Sequence, residues 1–324
     1  MSIRNLTRLF RPSWLLVASA AAMLIIGADY SSAGIQGTGR MALLSFGRIN
    51  GIGNTMSVNG VDYGLSQAQI QIDGRAATAA QLKVGQIVAV QGTLNGAATA
   101  DANNVTFTGD VVGPITQVDV AGGTLTVLGQ QVKVDADTVF AESIQPSGVA
   151  ALSVGMGVEI SAFRTASGEL LASRVDLQAA GSPLQVRGAV EALNADARTF
   201  QINSLTIAYT QAGVNGSLAN ASTATVTADE APSAGTLQAT AVDVSNGIPG
   251  EVAGLNGQVQ GLVTSLNSAS SFYVGDQLVV TNSDTHVVLQ GGTLQANLAV
   301  KVTGTFDSSG ALLAKQVHLD PRTP

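Results

Sequence analysis

"TMSVNGVDY", residues 55–63, contains the pattern on which the fold prediction rests. Apolar and polar residues alternate on both sides of Asn59-Gly60, and Asn-Gly between two such runs is a strong signal for a two-residue hairpin turn. The segment therefore predicts two short antiparallel strands joined by a tight turn.

Two markers recur along the chain at intervals of roughly 70 residues. The first is a T-x-x-V tetrapeptide that opens the quoted stretch and returns three times, as TMSV (55–58), TLTV (124–127), TFQI (199–202) and SFYV (271–274). The second closes each unit, as ANNV (102–105), ASRV (172–175), ATAV (239–242) and AKQV (314–317). The agreement of the two markers indicates four copies of one structural unit.

Each unit contains about five strand-like segments and little helical periodicity. The strand before the closing marker is clearest as VAVQG (88–92), VEISA (158–162) and VKVTG (300–304), whereas the third unit has only TVTAD (225–229). Five strands in about 60 to 70 residues fit a small closed barrel of OB type better than an immunoglobulin sandwich, and the unit is too long for one rung of a solenoid. The predicted fold is all-β, a tandem array of about four small five-stranded OB-like β-barrels with a degenerate third barrel.

The markers and the Gly/Pro-rich joins between them give the predicted organisation of the chain. The predicted parts are a signal peptide (1–33), a Gly-rich N-terminal segment (34–43), and barrels at 44–108, 109–180, 185–245 and 255–320.

The first residues have the composition of an export signal. Arg4, Arg8 and Arg11 precede the apolar run WLLVASAAAMLIIG (14–27), and Ser31 and Ala33 supply small residues for cleavage before Gly34. An uncleaved anchor is the alternative, but Asp29 ends the run short of the roughly 20 apolar residues that span a bilayer. The leader predicts a periplasmic or extracellular protein.

The composition of the chain limits the classes of partner that the protein is expected to bind. Charged residues make up 11% of the chain, the formal net charge is −7, and cations stand singly, as at Lys83, Lys133, Arg164 and Lys301. A surface that holds nucleic acid needs clustered cations, so no nucleic-acid partner is expected. The absence of cysteine excludes disulfides, thiolate metal sites and a lipid-bearing cysteine. Separately, no stable membrane insertion is expected once the leader is removed.

The segments GRINGIGNTMSVNGVDYGLSQAQIQIDG (47–74) and LKVGQIVAVQG (82–92) resemble an uncharacterised bacterial domain family. That domain of unknown function occurs as tandem small OB-like barrels behind signal peptides. The resemblance is strongest in unit one, good in units two and four and poor in unit three. It implies neither catalytic residues nor an established activity.

The search for chemistry yields no candidate catalytic, metal or cofactor residue, and no cofactor is expected. The two histidines, His286 and His318, lie in strand-like runs of unit four and are interpreted as surface or half-buried residues, since two ligands are too few for a zinc site. The segment DADT (135–138), whose alternating carboxylates could suggest calcium, is interpreted as a solvated strand end because its neighbours supply too few oxygen ligands. TASG (165–168) and DSSG (307–310) are interpreted as hairpin turns. Aromatic residues within the strand markers, such as Phe200, Phe272 and Tyr273, are expected in the cores rather than on a stacking surface.

Three classes of function remain compatible with these residues. The favoured one is a non-enzymatic envelope protein whose barrels are structural or protein-binding modules, with an envelope protein or a glycan as partner. The second is a periplasmic small-ligand or glycan-binding protein, which would place aromatic and polar residues together on one barrel face. The third is an unrecognised hydrolase, which would bring Asp, Glu or His of different units into one cleft.

Overall fold

The computed structural model describes residues 41–178, 181–245 and 247–320. The predicted signal peptide (1–33) lies outside the described residues, as does the Gly-rich segment (34–43) except for residues 41–43. Nearly all regular structure in the described residues is β-strand, arranged as four closed barrels of five strands each.

Barrel one is closed in the order β1-β2-β3-β7-β6-β1, with every contact antiparallel except the parallel pair β3–β7. A short hairpin, β4–β5, packs outside the ring against β7, and a 3₁₀ turn (Ala79–Gln81) follows it. The strands are β1 (Ala42–Ile52), β2 (Thr55–Val58), β3 (Val61–Gly64), β4 (Gln69–Ile72), β5 (Arg75–Ala77), β6 (Ile87–Leu94) and β7 (Thr99–Phe107).

Barrels two and four repeat this ring order, and each adds one short strand parallel to its last strand. A 3₁₀ turn, Val149–Ala151, lies within barrel two. Barrel two consists of β8 (Val111–Asp119), β9 (Thr124–Val127), β10 (Gln130–Lys133), β11 (Val139–Phe140), β12 (Gly157–Arg164) and β13 (Leu170–Leu177). Barrel four consists of β22 (Asn256–Ser268), β23 (Ser271–Val274), β24 (Gln277–Val280), β25 (His286–Val288), β26 (Ala299–Phe306) and β27 (Leu312–Leu319).

Barrel three has the same order, but its first and last strands are each interrupted, so that its ring is divided between two sheets. The weak TVTAD segment is nevertheless a full strand, β19, paired on both sides. The strands are β14 (Leu184–Ala189), β15 (Glu191–Asn194), β16 (Thr199–Ile202), β17 (Leu205–Ala208), β18 (Gly213–Asn215), β19 (Thr223–Ala228), β20 (Thr236–Gln238) and β21 (Ala241–Ser245).

The T-x-x-V marker supplies two core residues to every barrel, because the second and fourth positions point inward. All eight of these side chains are at most 2% exposed: Met56, Val58, Leu125, Val127, Phe200, Ile202, Phe272 and Val274. Burying one such side chain contributes about 1.5–3 kcal/mol before the entropic cost of folding is counted. Val58 and Val105 share one core, as the assignment of both markers to one barrel requires.

The glycine that ends the V-x-V-x-G segment marks a β-bulge. In barrel four the register of β26 and β27 shifts between Thr303 and Gly304, and a Cβ on Gly304 would clash with the carbonyl oxygen of Leu313. The same shift occurs in barrel one between Gln91 and Gly92. The glycine therefore lets the strand bend closely across its neighbour.

The barrels are closed as predicted, but they are joined to one another. β1 of barrel one pairs in parallel with β22 of barrel four over residues 43–46 and 256–259, and β8 of barrel two pairs with β14 of barrel three. The cores of barrels two and three form one continuous cluster. A separate apolar cluster joins barrels one, two and four through Phe46, Ile87, Phe163, Leu171, Leu262 and Ala299.

The Asn59-Gly60 turn is one of these junctions. Both residues have positive φ, 56° and 81°, as the predicted tight hairpin requires. Asn59 is only 6% exposed; its side-chain Nδ2 donates to the carbonyl of Phe46 at 2.9 Å, and its own carbonyl accepts a hydrogen bond from Lys301 Nζ of barrel four. The turn that folds barrel one therefore also fastens barrel one to barrel four.

Candidate binding cleft between barrels two, three and four

A cleft of about 520 Å³ opens where barrels two, three and four meet. Its walls include residues 164–168 of barrel two, 189 and 191 of barrel three, and 275–278 and 309–311 of barrel four, together with Glu251 from the segment that joins barrels three and four. Ligand sites occur preferentially at junctions of this kind between domains.

Four charged residues form a central ion cluster beneath this cleft: Asp110, Arg164, Arg187 and Asp276. Arg187 Nη2 donates to Asp276 Oδ2 at 2.6 Å, and its Nη1 lies 3.7 Å from Asp110 Oδ1. Arg164 donates to the carbonyls of Arg187 at 2.6 Å and Gly168 at 3.2 Å. The cluster therefore ties together barrels two, three and four and the residues that precede barrel two.

The two carboxylates of the cluster differ in their electrostatics. Burial raises the pKa of Asp110, and Arg187 at 3.7 Å only partly offsets this. Burial also opposes ionisation of Asp276, but the closer Arg187 and Arg164 outweigh it and lower the pKa of Asp276. Burial lowers the pKa of Arg164, whereas Asp276 and Asp110 raise that of Arg187 against the effect of burial. The charges of the cluster compensate one another, so its members are engaged in structure.

The exposed part of the cleft is dominated by hydroxyl groups and carboxylates. Glu191 is exposed, whereas Glu251 is partly buried and its pKa is raised by that burial. Glu251 fits against two glycines, since a Cβ on Gly247 or Gly310 would lie within about 2.6 Å of its carboxylate oxygens. The hydroxyl residues of the lining are Thr165, Ser167, Thr223, Thr264, Ser265 and Ser309, and Tyr273 adds an aromatic ring.

A second charged junction connects barrels one and two around the buried Asp176. Its carboxylate accepts from Lys83 Nζ at 2.9 Å and from Arg174 Nε at 2.5 Å, and Arg174 also donates to the carbonyl of Val84 at 2.8 Å. Nearby, burial and the charges of Asp73 and Asp176 raise the pKa of Glu159 to about 7. This junction is structural, and it contains one carboxyl group, that of Glu159, whose pKa lies near neutral pH.

The histidines lie in strands, as predicted. His286 in β25 is exposed, and His318 in β27 is half-buried, with Nε2 3.2 Å from Gln316 Oε1. Burial and the nearby Lys301 lower the pKa of His318. Across the described ranges, no group of three or more His, Asp or Glu side chains could hold a metal ion.

The two segments predicted as hairpin turns, 165–168 and 307–310, are turns, and residues 135–138, predicted as a solvated strand end, lie between β10 and β11. Residues 135–138 form a hydrogen-bonded turn in which Asp135 accepts from the backbone N–H of Asp137 at 2.9 Å. The 165–168 and 307–310 turns join the last two strands of barrels two and four, with Gly168 and Gly310 at positive φ. Both turns line the cleft, which the sequence did not indicate.

The prediction for the aromatic residues of the markers was right for Phe200 and Phe272, each 1% exposed, and wrong for Tyr273. Because successive side chains of a strand point to opposite faces, Phe272 enters the core and Tyr273 points away from it. Tyr273 lies in the wall of the cleft. No helix within residues 41–178, 181–245 and 247–320 is long and apolar enough to cross a membrane.

The fold places this chain among proteins built from tandem small OB-like barrels. The chain belongs to the family described as "Domain of unknown function (DUF5666)", whose model matches residues 46–105, 112–176 and 260–318, more than half of the sequence. These are barrels one, two and four, the units in which the resemblance is clear from the sequence.

Individual proteins show little similarity to this chain. No curated protein matches the sequence. A solved structure titled "drosophila Unr CSD456" is similar with 13% identity over 66% of this chain and 97% of that chain, at a TM-score of 0.16. At that TM-score the similarity carries no argument about this protein.

Proposed function

We propose that the protein is a non-enzymatic, exported module of the cell envelope, in which four barrels form a single structural and protein-binding body. The observation that carries the proposal is the use of ionisable groups between barrels. Lys83, Arg164 and Arg187 each bind a group of another barrel or of an adjoining segment, and Lys301 binds the turn of barrel one. A chain poor in charge thus employs its cations to fix the barrels in place.

The proposed absence of catalysis is supported by how two carboxylates at and beneath the cleft, Asp276 and Asp110, are engaged. Asp276 is held by Arg187 at 2.6 Å, and Asp110 accepts from the backbone N–H of Ala162 at 2.8 Å. A general acid or base must be able to reach a substrate and change its protonation, and carboxylates held in compensated ion pairs are poorly suited to that role. Glu191 and Glu251 are the carboxylates of the lining on which a hydrolase would depend.

Activity against a panel of esterase, glycosidase and peptidase substrates tests this part of the proposal. We expect no turnover above that of a buffer blank. Turnover that is lost in Glu251→Gln or Glu191→Gln, but kept in the exposed control Glu142→Gln, would establish an enzyme and refute the proposal.

Export is proposed from the sequence of the leader, since residues 1–33 lie outside the described structure. Loss of its three arginines and Asp29 makes the mature chain more acidic than the full sequence, which gives no attraction to anionic membranes. Cell fractionation with mass spectrometry of the N-terminus tests the idea. We expect a mature chain that begins near Gly34 in the periplasm or medium, and an intact Met1 in the membrane pellet would favour the anchor instead.

A further inference from the structure

The cleft combines the parts of an OB-like barrel that are suited to ligand contact. Its walls contain residues of β23 and β24, the second and third strands of barrel four, and the 309–311 turn between the last two strands of that barrel. In OB folds this strand face and the adjoining loops accommodate oligonucleotides or oligosaccharides. The equivalent turn of barrel two, residues 164–168, closes the opposite wall.

The four copies of the T-x-x-V marker single out Tyr273. The third position of the marker faces away from the core and is occupied by Ser57, Thr126, Gln201 and Tyr273. Only the copy that faces the cleft has an aromatic residue there. Its strand neighbours are Ser265 and Leu278, so the ring lies beside a hydroxyl group and an aliphatic side chain. A half-buried tyrosine offers both an apolar ring face and a polar hydroxyl group to a ligand.

The charged residues of the lining favour an oligosaccharide over an oligonucleotide. Arg164 is the cation of the lining, and it is directed to the backbone carbonyls of Gly168 and Arg187. Glu191 and Glu251 are not compensated by an ion pair among the described residues. A phosphate-bearing ligand would meet net negative charge, whereas neutral hydroxyl groups can donate to carboxylates and exchange hydrogen bonds with Thr165, Ser167 and Ser309.

We propose that this cleft binds a short uncharged oligosaccharide, with one sugar ring stacked on Tyr273 and its hydroxyl groups bound by Glu191, Glu251 and the surrounding Ser and Thr side chains. The volume of about 520 Å³ is within the range of small-molecule sites. The barrels that form the walls are fixed to one another by the central ion cluster, so the site is formed before the ligand arrives and little ordering is needed on binding.

Saturation-transfer NMR and calorimetry with the purified mature protein test the proposal. The probes are maltotriose, cellotriose, xylotriose and N,N′,N″-triacetylchitotriose, with a thymidine hexanucleotide as the anionic comparison. We expect saturable binding of at least one neutral trisaccharide and none of the hexanucleotide. Tyr273→Ala should weaken that binding about tenfold, equivalent to the loss of one stacked ring, whereas Tyr273→Phe should retain it.

Gln201→Ala is the matched control, since Gln201 holds the same marker position in barrel three, is exposed and lies outside the cleft. Glu191→Gln gives a second test at an exposed position where folding is not at risk, and it should also weaken binding. Equal affinities of Tyr273→Ala, Glu191→Gln and Gln201→Ala would overturn the proposal. So would preference for the hexanucleotide, or failure of all four trisaccharides to saturate the protein at about 10 mM.

This inference goes beyond the proposed structural role and can fail separately from it. Binding of a trisaccharide without cleavage is compatible with both the structural role and the oligosaccharide site. Cleavage of a bound trisaccharide would refute the non-enzymatic role and leave the site in place, whereas absence of binding would remove the site and leave the structural role untouched.

Discussion

Replacement of Arg187 by leucine tests whether the central ion cluster holds the barrels together. The substitution keeps much of the apolar bulk but leaves Asp110 and Asp276 without the guanidinium that they share. Removing one partner of a buried ion pair costs about 3–5 kcal/mol, because the remaining charge is buried without compensation. The side chains are 10–21% exposed and one contact is 3.7 Å long, so we expect a loss near the lower limit, about 3 kcal/mol.

The free energy of unfolding is measured by urea denaturation at neutral pH, followed by circular dichroism. Arg75→Leu is the matched control, since Arg75 is exposed on the outer hairpin of barrel one, and a change within about 0.5 kcal/mol is expected there. Adding Asp110→Asn and Asp276→Asn to Arg187→Leu should restore at least half of the loss, because the unpaired charges are then removed. A loss for Arg187→Leu no larger than that for Arg75→Leu would show that the cluster does not stabilise the assembly.

Three other predictions concern the barrels and their junctions. Burial, together with the charges of Asp73 and Asp176, raises the pKa of Glu159 from 4.5 to about 7 in the folded state, so the folded state holds the proton more tightly and stability should fall as pH rises from about 4.5 to 7. The free energy of unfolding, measured by denaturation across that pH range, should depend less on pH in Glu159→Gln. An unchanged pH dependence in this variant would contradict the assignment. Gly304→Ala should cost about 2 kcal/mol in thermal unfolding because its Cβ meets the carbonyl of Leu313, while Gly53→Ala, with open space around it, serves as the control. Barrel three, with interrupted first and last strands, should be cut first in limited proteolysis, within residues 213–229, and equal protection of all four barrels would speak against this.

The barrels could be predicted from the sequence because their determinants are local. The two markers place core residues at fixed spacing, and alternation within four residues decides that Met56 and Val58 point inward. Asn59-Gly60 similarly fixes its own turn. Even the weak third unit obeys the same order, since β19 is paired on both sides although its sequence is composed of Thr, Ala and Val.

The cleft could not be predicted because its parts come from different units. Arg187 and Asp276 are separated by 89 residues, and nothing in either local sequence indicates that they meet. The cations Lys83, Arg164 and Lys301 stand singly in the sequence, but each binds a group outside its own barrel. Tyr273 had a signal that could have been used, since its marker position faces outward in every copy.

The parallel pairing of β1 with β22 has a consequence for how the protein is made. Leu43 and Asn256 are partners in this pairing, so this edge of β1 stays open until residue 256, more than 200 residues after Leu43, has been added. An open strand edge invites pairing with other chains, and a contact of such long range forms slowly. Addition of β22 is therefore the step at which the edge of barrel one is covered, and chains that end before β22 should aggregate through β1.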